Sequence, residues 1–165
     1  MTVILFENCD FLAANKPEGL ASIPESDRDK ESLLAQLELK RGAKLYVVHR
    51  LDKEVSGVIL FAKTPAMHRY LNDQFSAHQV HKTYLALVHG AIEPDEGVID
   101  LPLREFGSGR MGVDRQRGKS SVTAYRVIRR CDPYTLLSLH PLTGRRHQLR
   151  VHLYSTGHPI VGDLR

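Results

Sequence analysis

The chain has 165 residues, 42% of them hydrophobic, with 23 Lys plus Arg against 19 Asp plus Glu, two cysteines and no tryptophan. A chain of this size buries roughly 70% of its unfolded surface, enough for one soluble domain with its own core and no need of disulfides. The widely separated Cys9 and Cys131 fit a reducing cytoplasm and offer no CxxC zinc pair, acidic Glu7 and Asp10 argue against a secretory signal, and no run of 18 apolar residues is present to span a membrane.

In chain order, residues 3–6 and 11–15 read as short strands around a turn at 7–10. Lys16-Pro17-Glu18-Gly19 breaks that pattern. Residues 31–40, with Leu33, Leu34 and Leu37 and with Gly42 beyond them, predict a short helix. Strands follow at 46–49 and 58–62, separated by a loop over 50–57. Thr64-Pro65 is a capped helix entry, and Met67, Tyr70, Leu71 and Phe75 recur at helical spacing to about residue 78, a stripe read as core packing. Residues 82–88 alternate as a strand ended by Gly90. Residues 104–119, with four glycines and five basic side chains, predict a mobile loop. Residues 121–129 and 134–139 predict a strand pair joined across Cys131-Asp132-Pro133, and 145–155 a helix closed by Gly157. Strands joined as hairpins with interspersed helices make the class α+β, in a single domain.

Charge is unevenly placed. Residues 1–100 carry 11 basic and 15 acidic side chains, whereas 101–165 carry 12 and 4. The basic stretch between Arg104 and Arg130 suits a phosphate backbone, and equally a solvated surface balanced by the acidic first half.

Three clusters set charged side chains beside apolar runs. In HRLDKEVSG (49–57), an extended backbone points Arg50 and Asp52 one way and Leu51 toward the core, so Asp52 either faces a cleft or joins a local surface ion pair. In KTYLALVHG (82–90), Lys82, Tyr84 and Ala86 share a strand face, and Tyr84 either packs or stacks on a nucleobase. In LTGRRHQLRVHL (142–153), a helix would set Arg146 and Arg150 one turn apart. Arginines near a helix N-terminus oppose its dipole, so a partner is expected for at least one, either RNA phosphate or a buried Asp.

Taken together and in this order, these segments, followed by GHPIVGD (157–163), resemble the RluA-type RNA pseudouridine synthases, as does the opening FLAANKPEG (11–19). The resemblance covers nearly the whole chain. It implies a mixed, largely antiparallel sheet flanked by helices and loops, a basic cleft, and no cofactor or metal. It makes Asp52 the catalytic carboxylate, Tyr84 the tyrosine that stacks on the target base, Arg150 the arginine that pairs with the aspartate, and Arg50 the residue that fills the gap left by the extruded nucleotide. The implied activity is isomerisation of uridines in ribosomal or transfer RNA by a cytoplasmic monomer whose partner is RNA and not a membrane. Two departures stand out. Val55 replaces the usual Thr, and family members continue beyond GHPIVGD, so the expectation is a domain short of its C-terminal strands and without a preceding S4 domain.

Uracil must leave its ribose through N1, turn and rejoin through C5, with no atom gained or lost. Asp52 could attack C1′, add to the ring or take a ribose proton. The main alternative is a non-catalytic RNA-binding module derived from the same fold. A metal hydrolase is disfavoured because His147 and His152 are five apart and no HExxH occurs, and a serine hydrolase because GxSxG is absent.

Overall fold

The structure is a computed structural model that describes residues 3–24, 31–107 and 109–163. It divides into two compact units, Met1–Gln79 and Val80–Arg165.

In the first unit, β1 (Val3–Glu7), β2 (Phe11–Lys16), β3 (Tyr46–Val47) and β4 (Gly57–Ala62) form an antiparallel sheet ordered β1-β2-β4-β3. The turn between β1 and β2 forms because the Asn8 side chain accepts hydrogen bonds from the backbone N–H groups of Asp10 and Phe11, both at 2.9 Å. The two central strands are nearly continuous in apolar residues, and Leu12, Ala14, Ile59, Phe61 and Ala62 are fully buried. Helix α1 (Leu33–Arg41) adds Leu33 and Leu37 to this core. Ser32 caps its start by accepting from Ala35 N–H at 3.2 Å, and Gly42 ends it in the left-handed conformation, φ 64°.

Helix α2 (Pro65–Ser76) starts as expected, with Thr64 accepting from Met67 N–H and Pro65 in the first turn. Its apolar stripe is not core. None of its residues is buried and Tyr70 is 57% exposed. The helix is fastened in part by polar contacts. His68 bonds the Val47 carbonyl through Nε2 at 2.9 Å, and its ring lies against Tyr46.

The second unit is built on β5 (Tyr84–His89), β6 (Glu96–Asp100), β9 (Val122–Cys131) and β10 (Tyr134–Pro141), an antiparallel sheet ordered β5-β10-β9-β6. Strand β6 had no counterpart in the sequence reading. Residues 104–119 are not a featureless loop. They include most of the antiparallel ribbon β7 (Leu103–Glu105) and β8 (Met111–Val113), with Ser108 outside the described residues. Asp114 fixes the segment after β8. It accepts from Gln116 and Arg117 N–H and pairs with Arg104 at 3.1 Å, and these bonds hold its carboxyl below the usual range.

Helix α3 (Gln148–Ser155) packs Leu153 into the core of Val88, Ile92, Ile99, Leu137 and Leu139. Beside it His152 is fully buried. Nε2 can only donate to the Leu101 carbonyl, at 3.0 Å, so a neutral ring accepts at Nδ1 from the Thr123 hydroxyl, also at 3.0 Å. Burial pushes its pKa down, opposed by the Leu101 bond and the Asp100 charge. Because the unfolded chain then binds the proton more tightly, stability is complete above the unfolded value of about 6.5 and falls as pH drops below it. Urea unfolding at pH 8 and pH 5.5 is expected to show this loss in the wild type. In His152→Gln the loss is smaller, because that protonation is gone.

Candidate active site

The strand alternation that buries Leu12 and Ala14 carries Lys16 onto the same face, and its side chain is 0% exposed. There the ammonium donates to three carbonyls, those of Pro17 (2.9 Å), Leu20 (2.7 Å) and Lys53 (3.1 Å). Burial lowers the Lys16 pKa, while the charges of Glu54, Asp52 and Glu18 work to keep it protonated.

The Lys53 carbonyl also accepts from Gly19 N–H at 2.8 Å. On the other side of Asp52, buried Ser22 exchanges hydrogen bonds with Leu51, its hydroxyl donating to the Leu51 carbonyl at 2.7 Å and accepting from Leu51 N–H at 3.0 Å. Asp52 is therefore held from both neighbours, and its own carbonyl accepts from Val55 N–H to close the turn. As the extended reading required, Leu51 is buried, Arg50 is exposed and Asp52 is half-buried. His49 of the same motif has a structural part, accepting from Leu60 N–H at 3.0 Å and stacking on Phe75 at 4.8 Å. Neither Lys16 nor Ser22 was singled out from sequence.

In the second unit Tyr84 is half-buried at the start of β5, facing the same side as Ala86 and packed against the core cluster. The segment 142–147 precedes helix α3 instead of opening it, so Arg145 and Arg146 lie outside the helix. The reason is Gln148, which sequence reasoning missed. Its buried side chain accepts from the Thr143 hydroxyl and Arg145 N–H, and donates to Val122 O and Thr123 Oγ1. Those four bonds tie the loop to β9, and His147 then enters the helix at a positive φ of 52°.

The arginines have the partners that charge balance demanded. Arg145 donates to the Ser120 carbonyl, Arg146 pairs with Glu105 at 3.0 Å, and Arg150 makes a bidentate pair with Asp163, Nε to Oδ2 at 2.8 Å and Nη2 to Oδ1. Arg150 and Asp163 are each 14% exposed. Asp163, the last residue of GHPIVGD, is thus a half-buried carboxylate partner of Arg150, the arginine that the resemblance pairs with Asp52. Beside this pair opens a cavity of about 580 Å³ with Arg110, Arg146, His147, Arg150, Tyr154 and Asp163 in its wall. Three guanidinium groups, two of them paired with the carboxylates of Glu105 and Asp163, leave it a net positive, anion-attracting surface. Arg110 reaches it from the turn of the β7–β8 ribbon.

Among the described residues, no helix is long and apolar enough to cross a membrane.

The profile of RNA pseudouridylate synthases matches residues 10–155. The dual-specificity RNA pseudouridine synthase RluA of Vibrio cholerae is 43% identical over 163 residues, which is 97% of this chain and 66% of that protein. The protein of the same name from Escherichia coli K12 is 39% identical over 165 residues, 98% of this chain and 75% of that one. Among solved structures, human RNA pseudouridylate synthase domain containing 1 superposes with a TM-score of 0.86 at 32% identity, over 99% of this chain and 69% of that one. Human RNA pseudouridylate synthase domain containing 4 gives 0.78 at 31%, over 97% and 67%. The chain thus spans from about two thirds to three quarters of the length of these four proteins. With the family profile over residues 10–155 and relatives about 40% identical over nearly its whole length, the chain belongs to the RNA pseudouridylate synthase family.

Proposed function

We propose that the protein is an RNA pseudouridine synthase that isomerises uridines of ribosomal or transfer RNA, acting as a cytoplasmic monomer. Asp52 is the catalytic carboxylate, Tyr84 stacks on the everted base, Arg50 fills the place the uridine leaves, and Arg150, which also bonds Asp163, is the guanidinium partner of the reacting carboxylate. The observation that carries this reading is the loop around Asp52, bound on both flanks by a buried ammonium and a buried hydroxyl. A carboxylate on a surface ion pair needs no such support. One that must meet a single ribose carbon does, because misplacement by about 1 Å costs on the order of a hundredfold in rate.

In the reaction the C1′–N1 bond breaks and a C1′–C5 bond forms. N1 gains a proton and C5 releases its hydrogen to solvent. Extruding a stacked uridine costs a few kcal/mol, which phosphate contacts at the basic cavity and stacking on Tyr84 offset. The test follows from the hydrogen lost at C5. Ribosomal and transfer RNA transcribed with 5-tritiated uridine is incubated with the protein, and tritium release to water is expected. RNA binding without release from either substrate would overturn the enzymatic reading in favour of a non-catalytic RNA-binding module.

A further inference from the structure

Burial alternates strictly along residues 81–88, exposed then inward, so the extended backbone of β5 begins before Tyr84 and Lys82 lies on its inward side with Tyr84 and Ala86. The Lys82 ammonium lies beside Gly144, where an added Cβ would stand 3.7 Å from it. The arginines of the segment 142–147 and of α3 each have a protein acceptor: Arg145 the Ser120 carbonyl, Arg146 Glu105, Arg150 Asp163. Among the described residues Lys82 has none, and burial alone acts on its pKa, pushing it down. A charge half removed from water without a counter-charge is a standing cost, and one that a bound anion removes.

On the reading that the substrate is RNA and that Tyr84 takes the everted base, the missing anion is close at hand. Lys82 is two strand residues from Tyr84, roughly 7 Å along the backbone. That is the order of distance separating a nucleotide's base from its own phosphates. We infer that the Lys82 ammonium binds a backbone phosphate flanking the uridine that Tyr84 receives, fixing the register of the strand as the base turns.

The test uses the full chain and a synthetic stem–loop RNA with one uridine in its loop. Lys82→Met is expected to weaken binding about tenfold and to flatten the dependence of log K on log salt by about one unit. Any tritium release should show a raised KM with kcat little changed, and Lys82→Arg should restore most of the affinity. The decisive measurement begins with the wild-type protein. Replacing either phosphate flanking the uridine, one at a time, by a neutral methylphosphonate should weaken wild-type binding at one of the two positions, and Lys82→Met should show no further loss there. Equal wild-type affinity for the charged and neutral linkages at both positions overturns the inference, as does an unchanged salt slope in the variant. Absence of tritium release from the wild type would instead strike the enzymatic reading, and the binding measurements would still decide the phosphate contact.

Discussion

In Asp52→Asn, tritium release from RNA carrying 5-tritiated uridine is expected to fall by at least about a thousandfold, equivalent to ~4 kcal/mol of lost transition-state stabilisation. The amide keeps the size of the carboxylate but cannot attack C1′, add to the ring or accept a ribose proton, so all three routes are closed by one substitution. The fold should survive. The loop is held through the backbone of Leu51 and Lys53 and the side chains of Lys16 and Ser22, none of which the substitution removes. RNA affinity should also change little, since the cations of the basic cavity remain. The measurement is a single-turnover release assay set beside thermal unfolding and RNA binding. A variant that binds RNA, melts with the wild type and retains release within about tenfold of it would remove Asp52 from the chemistry.

Much of the fold was legible because it rests on local pattern. Alternation and apolar runs located seven of the strands within two residues at either end, and Gly42, Thr64 and Pro65 announced two helices through end signals whose physics is local. What was not legible depends on partners distant in sequence. Gln148 looks like any helical glutamine until β9 supplies Val122 and Thr123 as its partners, and only then does the helix start at residue 148 and not 145. The β7–β8 ribbon is two strands of three residues each among glycines and arginines. Its stability comes from contacts such as Asp114 with Arg104, which composition does not reveal. The α2 stripe shows the opposite failure. The helical period was right, but period reports which residues share a face and not whether that face is covered.

The site divides in the same way. HRLD is visible because a motif is contiguous, and period two puts Lys82, Tyr84 and Ala86 on one strand face, whereas the resemblance alone chooses stacking over packing for Tyr84. Lys16 carried a signal that was there to be used. It follows Leu12 and Ala14 at the same period, so a buried lysine was written into the alternation, whereas Lys16-Pro17-Glu18-Gly19 drew attention only as a breaker. Asp163 as partner of Arg150 had no such local signal, being thirteen residues away on the far side of a helix terminus.

Lys16→Met should therefore injure both the fold and the reaction, the second more than the first. Methionine has nearly the length of lysine and fills the same space, so no large cavity opens. Three donors vanish. The Lys53 carbonyl keeps Gly19 N–H, but the Pro17 and Leu20 carbonyls lose the ammonium that satisfied them, at about 1–3 kcal/mol for each that stays out of water. Against this, an ammonium whose pKa is already depressed by burial no longer has to be desolvated, which returns part of the cost. The net expectation is a loss of about 2–3 kcal/mol in urea unfolding. Catalysis should fall further, on the order of a hundredfold below the wild type at a temperature and denaturant concentration where the variant is fully folded. The link between residues 16–20 and the backbone beside Asp52 is reduced to the single Gly19 N–H bond, and the carboxylate samples positions about 1 Å from the productive one. The discriminating comparison is with a core variant of equal instability in the same unit, such as Leu37→Ala, which removes no hydrogen bond to residues 51–53. If both lose the same activity when fully folded, Lys16 only holds the unit together. If Lys16→Met alone loses turnover, with RNA affinity kept, the buried ammonium positions the catalytic loop.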